Sequence, residues 1–182
     1  MQVDQVVLVD EQDRKIGLMD KLEAHKGEGT LHRAISVLLY RKKDGKTEVL
    51  LQKRGKAKPL WPFFWSDTTS THPRDGESYE DCAVRRLKEE MGIALQKDEV
   101  KPVTKILYHE RYNEIYSEWE LDAILLGTWD GQPRINRQEC DGYMWMRWKA
   151  LKKEVADDPK KYPPWMELMV KNKKVMQAIL SV

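Results

Sequence analysis

The sequence has 182 residues, the length of one domain, and 41% of them are hydrophobic while 34% are charged. That composition is too apolar for disorder, and a net charge of +2 argues against nucleic-acid binding. No apolar run reaches the roughly 18 residues of a membrane span, the start lacks a signal-peptide pattern, and two cysteines make no disulfide framework. We therefore expect one domain over residues 1–182, cytoplasmic, with neither nucleic acid nor membrane as a partner.

The N-terminal part of the chain predicts strands. Apolar and alternating runs indicate strands at residues 3–9, with Ile16 on the returning strand, and at 31–40 and 48–52, with a hairpin turn at Asp44-Gly45. Since residues 31–40 are apolar nearly throughout, they predict a central strand buried on both faces. Residues 55–76 hold three prolines and four aromatic residues, which indicates a long loop that is packed and functional.

The second half of the chain adds helices to this pattern. Residues 77–91 have helical periodicity and Gly92 supplies a stop, whereas strands follow at 105–111, 117–126 and 142–148. After a charged, loosely patterned stretch, Pro163-Pro164 opens a final helix from Trp165, whose apolar side includes Leu168 and Ile179. Strands interrupted by one central and one C-terminal helix predict an α/β sandwich.

Carboxylates gather on the predicted central helix. Glu89 and Glu90 are adjacent there, and such hard oxygen ligands suit Mg²⁺ bound together with phosphate oxygens. Arg86 and Glu90 are four residues apart and share a helix face. Taken alone, these residues are explained more simply by a solvated helix with an ordinary ion pair.

A second group of candidate ligands lies outside this helix. Alternation in the strand 117–126 places Glu118 and Glu120 on one face, where two carboxylates repel each other unless a cation or a proton holds them. Imidazoles with carboxylates suit a transition metal such as Zn²⁺ or Mn²⁺, and the chain has only four histidines. An exposed edge strand with outward acidic residues accounts for the same periodicity.

The helix resembles the Nudix box, Gx5Ex7REUxEExGU, in which U is a bulky aliphatic residue. Glu77, Arg85, Glu89, Glu90 and Gly92 match the box, whereas Thr71 replaces its first glycine and Arg86 replaces the glutamate after its arginine. The resemblance implies a Nudix-like α/β/α sandwich with a mixed sheet.

More of the chain resembles one branch of that superfamily, the type I isopentenyl-diphosphate Δ-isomerases. The resemblance covers nearly the whole chain, and it rests on Lys21-x3-His25, Arg54-x3-Lys58, His72-Pro73, Arg85-Arg86, Glu118-x-Glu120 and Pro164-Trp165. It implies a metal-assisted 1,3-allylic proton shift between isopentenyl and dimethylallyl diphosphate.

The resemblance also implies roles for individual residues. A transition metal, Mn²⁺ or Zn²⁺, is expected at His25, His32, His72, Glu118 and Glu120. Glu90 is expected to help hold a Mg²⁺ that bridges to the substrate. The diphosphate is expected at Lys21, Arg54, Lys58 and Arg86, and the catalytic residues are expected to be Ser70, Glu120, Tyr108 and Trp165.

Ser70 is the main departure from that branch, which carries a cysteine at this position. A serine hydroxyl is far less acidic than a thiol, whose pKa is about 8.5, so slower or rerouted proton transfer is expected. Two alternatives to an isomerase stay open, namely a Nudix-type diphosphate hydrolase and a non-catalytic protein that binds isoprenyl diphosphates. Asp67, in the same loop, either caps the backbone or takes part in proton transfer.

Overall fold

A computed structural model describes residues 4–180. In these residues the chain forms nine strands and five α-helices, with two short 3-10 turns. The strands are β1 (Gln5–Val9), β2 (Lys15–Asp20), β3 (His32–Lys43), β4 (Lys46–Arg54), β5 (Trp65–Ser66), β6 (Thr69–Thr71), β7 (Val100–Arg111), β8 (Ser117–Thr128) and β9 (Cys140–Arg147). The helices are α1 (Lys21–Ala24), α2 (Tyr79–Met91), α3 (Trp148–Asp157), α4 (Pro164–Lys171) and α5 (Lys173–Leu180).

The strands form one mixed sheet around β3. This strand pairs parallel with β8 and antiparallel with β1, β4 and β6. β7 pairs with the far side of β8, and β9 and β5 pair with β4. β3 is therefore the central strand that its apolar sequence predicts, and the alternative of an exposed edge is wrong for β8, which lies between β3 and β7.

Both faces of the sheet are covered by helices. Leu38 and Tyr40 of β3 point into a core formed with α3, α4 and α5, whereas Val37 and Leu39 point into a core formed with α2. This alternation follows from the two-residue period of a strand. The predicted α/β/α sandwich with a mixed sheet is confirmed. No helix within residues 4–180 is long and apolar enough to cross a membrane.

Two predictions about the C-terminal region were wrong. The charged stretch after β9 is the helix α3, which buries Trp148, Leu151 and Val155. The single final helix is instead two helices, because the Asn172 backbone leaves the helical conformation at φ −70° and ψ 123°. The Asn172 side chain then accepts hydrogen bonds from the first turn of α5. At the other end of the chain, Val3, the predicted start of the first strand, lies outside the described residues.

Candidate active site

The register of three neighbouring strands builds the centre of the site. Glu120 of β8 lies opposite His32 of β3 on one side and opposite Tyr108 of β7 on the other. β6 brings Ser70 against Ser36 of β3, on the other side of that strand from β8. Residues that are far apart in the sequence therefore meet because the sheet fixes their order.

Three histidines converge on one oxygen of Glu120. The Nε2 atoms of His72, His32 and His25 lie 2.9, 3.4 and 3.9 Å from Glu120 Oε1. His25 Nδ1 is 2.6 Å from the Lys21 carbonyl, and His32 Nδ1 is 2.6 Å from the Thr30 carbonyl. A carbonyl oxygen only accepts hydrogen bonds, so Nδ1 is the donor in both rings, and the neutral tautomer then has its free lone pair on Nε2.

This cluster fits a divalent metal ion. One ligand atom from each of His25, His32, His72 and Glu120 lies within 4.8 Å of the others. His32 Nε2 is buried without a hydrogen-bond partner among the described residues. A bound metal ion would satisfy this nitrogen. Burial holds the pKa of His72 well below its usual range despite the opposing effect of Glu120, so its ring is in the neutral form that binds metals.

Glu118 faces the same side as Glu120, as alternation predicts, but it lies outside the histidine cluster. The Tyr108 hydroxyl is 2.9 Å from Glu118 Oε2 and 2.5 Å from Glu120 Oε2. A phenol has one proton, so both contacts are hydrogen bonds only if one carboxyl is protonated. Burial, together with the charge of Glu120, raises the pKa of Glu118 well above its usual range, which identifies Glu118 as the protonated partner.

Glu120 keeps the negative charge of this pair. Burial alone would raise the pKa of Glu120, but the imidazoles of His25, His32 and His72 around its carboxylate outweigh burial and hold the pKa well below the usual range. A protonated carboxyl, a phenol and a carboxylate thus form one chain from Glu118 through Tyr108 to Glu120, in which a proton can move.

An inner cavity opens beside this chain. Ser70 and Trp165 line it together with Tyr108, Glu118 and Glu120, and Ile35 and Leu60 add apolar surface. Trp165 packs its ring against Trp61 at 5.6 Å in an edge arrangement. The cavity therefore joins an aromatic and apolar wall to groups that exchange protons.

A wider outer cavity adjoins the inner one through Lys21, Lys58 and His72, which line both. Its wall also includes Arg74, Arg85 and Arg86, so cations outnumber the acidic groups Asp4, Asp75 and Glu139. A surface of this kind attracts a polyanion. Lys21, Lys58 and Arg86, three of the four predicted diphosphate residues, are thus brought together at its rim.

Arg54, the fourth predicted diphosphate residue, contacts the aromatic loop that follows β4. Its guanidinium donates to the carbonyls of Trp61 and Leu60 at 3.0 and 2.8 Å and lies 5.2 Å above the Trp165 ring. Trp61 has φ 45° and Phe63 has φ 67°, which are left-handed values that cost energy in residues other than glycine. Arg54 therefore holds the loop in the shape that places Trp61 against Trp165.

The carboxylates of α2 are paired with cations. Glu90 is fully buried, and its Oε1 accepts from Arg86 and lies 3.4 Å from Lys58 Nζ, while its Oε2 accepts from Gln52. Glu77 accepts two hydrogen bonds from Arg85. Glu89 is exposed and pairs with Arg85 and Arg86. Within residues 4–180, the helix thus contributes no cluster of three free metal ligands.

Sequence reasoning missed two residues of this region. Gln52 donates to Glu90 and to the Thr68 carbonyl, and a polar residue inside the apolar run of β4 is a signal that could have identified it. Glu139 bridges Lys58 and Arg86, with 2.6 Å to Lys58 Nζ. No motif marks Glu139, because its loop reaches the site only in the folded chain.

Comparison with known proteins agrees with this geometry. The sequence profile of the NUDIX domain family matches residues 30–166. A Deinococcus radiodurans protein of known structure superposes with a TM-score of 0.65 over 85% of this chain and 90% of its own, at 19% identity. A Nudix hydrolase from M. smegmatis does so with a TM-score of 0.58 over 97% and 96%, at 17% identity. These likenesses show the fold, and the chain belongs to the NUDIX domain family.

Closer relatives define the branch. The chain is 37% identical over 163 residues to isopentenyl-diphosphate Delta-isomerase 2 of Aromatoleum aromaticum, covering 90% of this chain and 82% of that protein. It is also 37% identical to the isopentenyl-diphosphate Delta-isomerase of Nocardia farcinica, over 88% and 89% of the two chains. The chain therefore belongs to the isopentenyl-diphosphate Δ-isomerase family within the NUDIX domain proteins.

Proposed function

We propose that this protein interconverts isopentenyl diphosphate and dimethylallyl diphosphate by a 1,3-allylic proton shift. The observation that carries the proposal is the position of Glu120, which contacts three histidines through Oε1 and Tyr108 through Oε2 beside an aromatic cavity. The names of the relatives in the same family describe that reaction. The two free, buried cysteines support a cytoplasmic location.

The two cavities divide the substrate between them. The diphosphate binds in the outer cavity, where Lys21, Lys58 and Arg86 supply positive charge. The five-carbon chain enters the inner cavity, between Trp165 and the Ser70 hydroxyl. Arg54 contributes through its charge at the back of the pocket and through the loop that it holds.

The hydrogen-bonded series of Glu118, Tyr108 and Glu120 protonates the double bond. Protonation of the terminal carbon leaves a tertiary carbocation, and the Trp165 ring stabilises positive charge on its face. The buried walls keep water away from that cation. Removal of a proton from C2 then completes the shift, and Ser70 lies in the same cavity to serve that step.

Metal ions belong to the proposal as well. His25, His32, His72 and Glu120 would hold a transition metal, Mn²⁺ or Zn²⁺, and Glu118 would come close to it as a neighbour of Glu120. When bound, the ion supplies positive charge that fixes Glu120 and sets its acidity. Glu90 would support a Mg²⁺ for which diphosphate oxygens and water provide most ligands, because Arg86, Lys58 and Gln52 already engage its own oxygens.

Incubation with isopentenyl diphosphate in D₂O, with Mg²⁺ and Mn²⁺, tests this function. Proton NMR follows deuterium in the product, and phosphorus NMR follows the diphosphate. We expect deuterium in a methyl group of dimethylallyl diphosphate, with the diphosphate intact. Glu120→Gln should abolish the exchange, whereas His109→Gln, which changes an exposed histidine outside the cluster, should leave it unchanged.

The two alternative functions predict different spectra. A diphosphate hydrolase releases phosphate and leaves the allylic positions unlabelled, and a binding protein gives saturable binding without product. The pairing of Arg86 with Glu90 counts against the hydrolase, because a cation occupies the place where the Nudix box has a carboxylate.

A further inference from the structure

Ser70 and Asp67 form a hydrogen-bonded pair at the inner cavity. The Ser70 hydroxyl donates to Asp67 Oδ1 across 2.5 Å. The same oxygen accepts from the Ser66 hydroxyl at 2.6 Å and from Trp165 Nε1 at 3.0 Å. Asp67 is fully buried, and its Oδ2 has no hydrogen-bond partner within residues 4–180. A buried carboxylate with one oxygen unpaired is costly and calls for an explanation.

Of the two serine hydroxyls in this group, only that of Ser70 lines the inner cavity, which Trp165 also lines. Ser70 lines the inner cavity and is partly exposed, whereas Ser66 is fully buried. The pairing of Ser70 with Ser36 across β6 and β3 holds its backbone. Since the single hydroxyl proton of Ser70 is directed at Asp67, its oxygen lone pairs remain to accept a proton from elsewhere. The pair therefore presents a proton acceptor to the cavity.

We propose that Asp67 is a positioning residue that makes the Ser70 hydroxyl the acceptor of the C2 proton of isopentenyl diphosphate. This inference rests on the proposed function and deepens it. As the C2–H bond breaks, its electron pair forms the C2=C3 double bond and neutralises the carbocation. The proton goes to Ser70 Oγ, while the original hydroxyl proton moves along the hydrogen bond to Asp67 Oδ1. Ser70 ends as a hydroxyl and Asp67 as a carboxylic acid, which gives up its proton through Ser70, to solvent after the product has left or to C2 in the reverse reaction.

The surroundings of Asp67 suit a base. Burial raises the pKa of the Asp67 carboxyl, although the hydrogen bonds from Ser66, Ser70 and Trp165 and the charge of Arg54 oppose the rise. Asp122 is an acidic neighbour whose charge interacts with that of Asp67, and its Oδ2 accepts a hydrogen bond from Ser36. A serine without such a partner is a poor acceptor, since its hydroxyl is hard to deprotonate. The carboxylate removes that difficulty.

Asp67→Asn is the most direct variant. Asparagine keeps an oxygen that can accept from Ser66, Ser70 and Trp165, but it cannot take up a proton. We expect kcat to fall by about 100-fold or more, the contribution typical of a positioned base, with little change in KM. With isopentenyl diphosphate deuterated at C2, the kinetic isotope effect on kcat should rise, because C2 deprotonation becomes slower relative to the other steps.

A second background separates this role from a folding defect. In S70C the thiol ionises without a neighbouring base. The fold-loss in kcat caused by D67N should therefore be at least about ten times smaller in the S70C background than in the background with Ser70. Ser66→Ala is the matched control, since it removes a hydrogen bond to the same Asp67 oxygen without touching the cavity. Because the Asp67 carboxylate stays in place, this variant should change the C2 isotope effect far less than D67N does.

Three results would overturn the inference. The first is wild-type activity in D67N, and the second is an equal loss from D67N in the Ser70 and S70C backgrounds, as a misfolded loop would give. The third is a wild-type protein that does not turn over isopentenyl diphosphate, and only this result also overturns the proposed function. An active wild type with an indifferent Asp67 leaves the proposed function standing.

Discussion

Arg86 and Glu90 lie one helical turn apart on α2, and Arg86 Nε donates to Glu90 Oε1 across 3.0 Å. Glu90 is fully buried, and the charges of Lys58 and Arg86 hold its pKa below the usual range even though burial alone would raise it. The arginine therefore keeps the buried carboxylate ionised, and the carboxylate holds the guanidinium in place at the wall of the outer cavity.

Loss of Arg86 should affect stability and substrate binding together. We expect Arg86→Gln to lower the free energy of unfolding by about 2–3 kcal/mol, somewhat less than a fully broken buried pair, because Lys58 stays beside Glu90. KM for isopentenyl diphosphate should rise as well. Urea denaturation and steady-state kinetics measure the two effects. Lys88→Gln removes the same charge from an exposed position of α2 and should change neither the free energy of unfolding nor KM. Equal changes in the two variants would contradict the pairing of Arg86 with Glu90.

Metal binding at the histidine cluster should stabilise the fold. At a free Mn²⁺ or Zn²⁺ concentration of about 100 times Kd, the metal-stripped protein should gain about 2.7 kcal/mol. His72→Gln should weaken Kd by about 100-fold or more, beyond the loss typical of residues that only support a ligand. Calorimetric titration and thermal unfolding provide the measurement. His109→Gln is the control, and an undiminished affinity in His72→Gln would refute the site.

The pairing of Glu77 with Arg85 should make the free energy of unfolding depend on pH. Burial raises the pKa of Glu77, but the hydrogen bonds from Arg85 and from the Arg74 backbone outweigh it and lower the pKa below 4.5. A depressed pKa gives stability that is present above the unfolded-state value and is lost as the pH falls through the folded-state value.

Unfolding measured as a function of pH tests that dependence. Near neutral pH, the free energy of unfolding of the wild type should exceed that of Glu77→Gln by about 1–2 kcal/mol. The two free energies should converge in acid. Glu11→Gln, at an exposed position, should follow wild type throughout. A constant difference between wild type and Glu77→Gln at every pH would show that the ion pair is not the cause.

The break before α5 should depend on Asn172. Its Oδ1 accepts from the Lys174 amide at 3.0 Å and from the Val175 amide at 3.3 Å, so it caps the helix. Asn172→Ala should cost about 1 kcal/mol, the usual value of such a cap. Lys173→Ala, next to it and exposed, should cost far less. Chemical denaturation compares the two, and equal costs would rule out the cap.

Much of the fold could be predicted because hydrophobic periodicity is local. The longer strands β3, β4, β7, β8 and β9 and the helix α2 follow from runs of residues that are adjacent in the sequence. The short strands β5 and β6 were missed, because they lie within residues 55–76, which were predicted to form a loop. The helix α3 was missed because charged residues separate its three buried positions, Trp148, Leu151 and Val155. The break at Asn172 was missed because apolar residues continue at helical spacing on both sides, and the capping role of one asparagine is weak evidence by itself.

The sequence by itself determined the family and the supply of chemical groups. The spacing of the helix glutamates, the histidines and Glu118-x-Glu120 was enough to identify the isomerase family, and alternation placed both glutamates on one face. The departure at Ser70 was visible as well, but its consequence was not.

Only the tertiary structure decided which groups act together. Glu120, and not Glu118, lies among three histidines, of which strand register supplies His32, while Arg86 and Lys58 pair with Glu90. Folding also buries Asp67 behind Ser70 and directs the serine proton to it. These outcomes depend on contacts between segments up to 98 residues apart, such as Asp67 and Trp165. A local pattern supplies the donors and acceptors, but packing and burial select their partners.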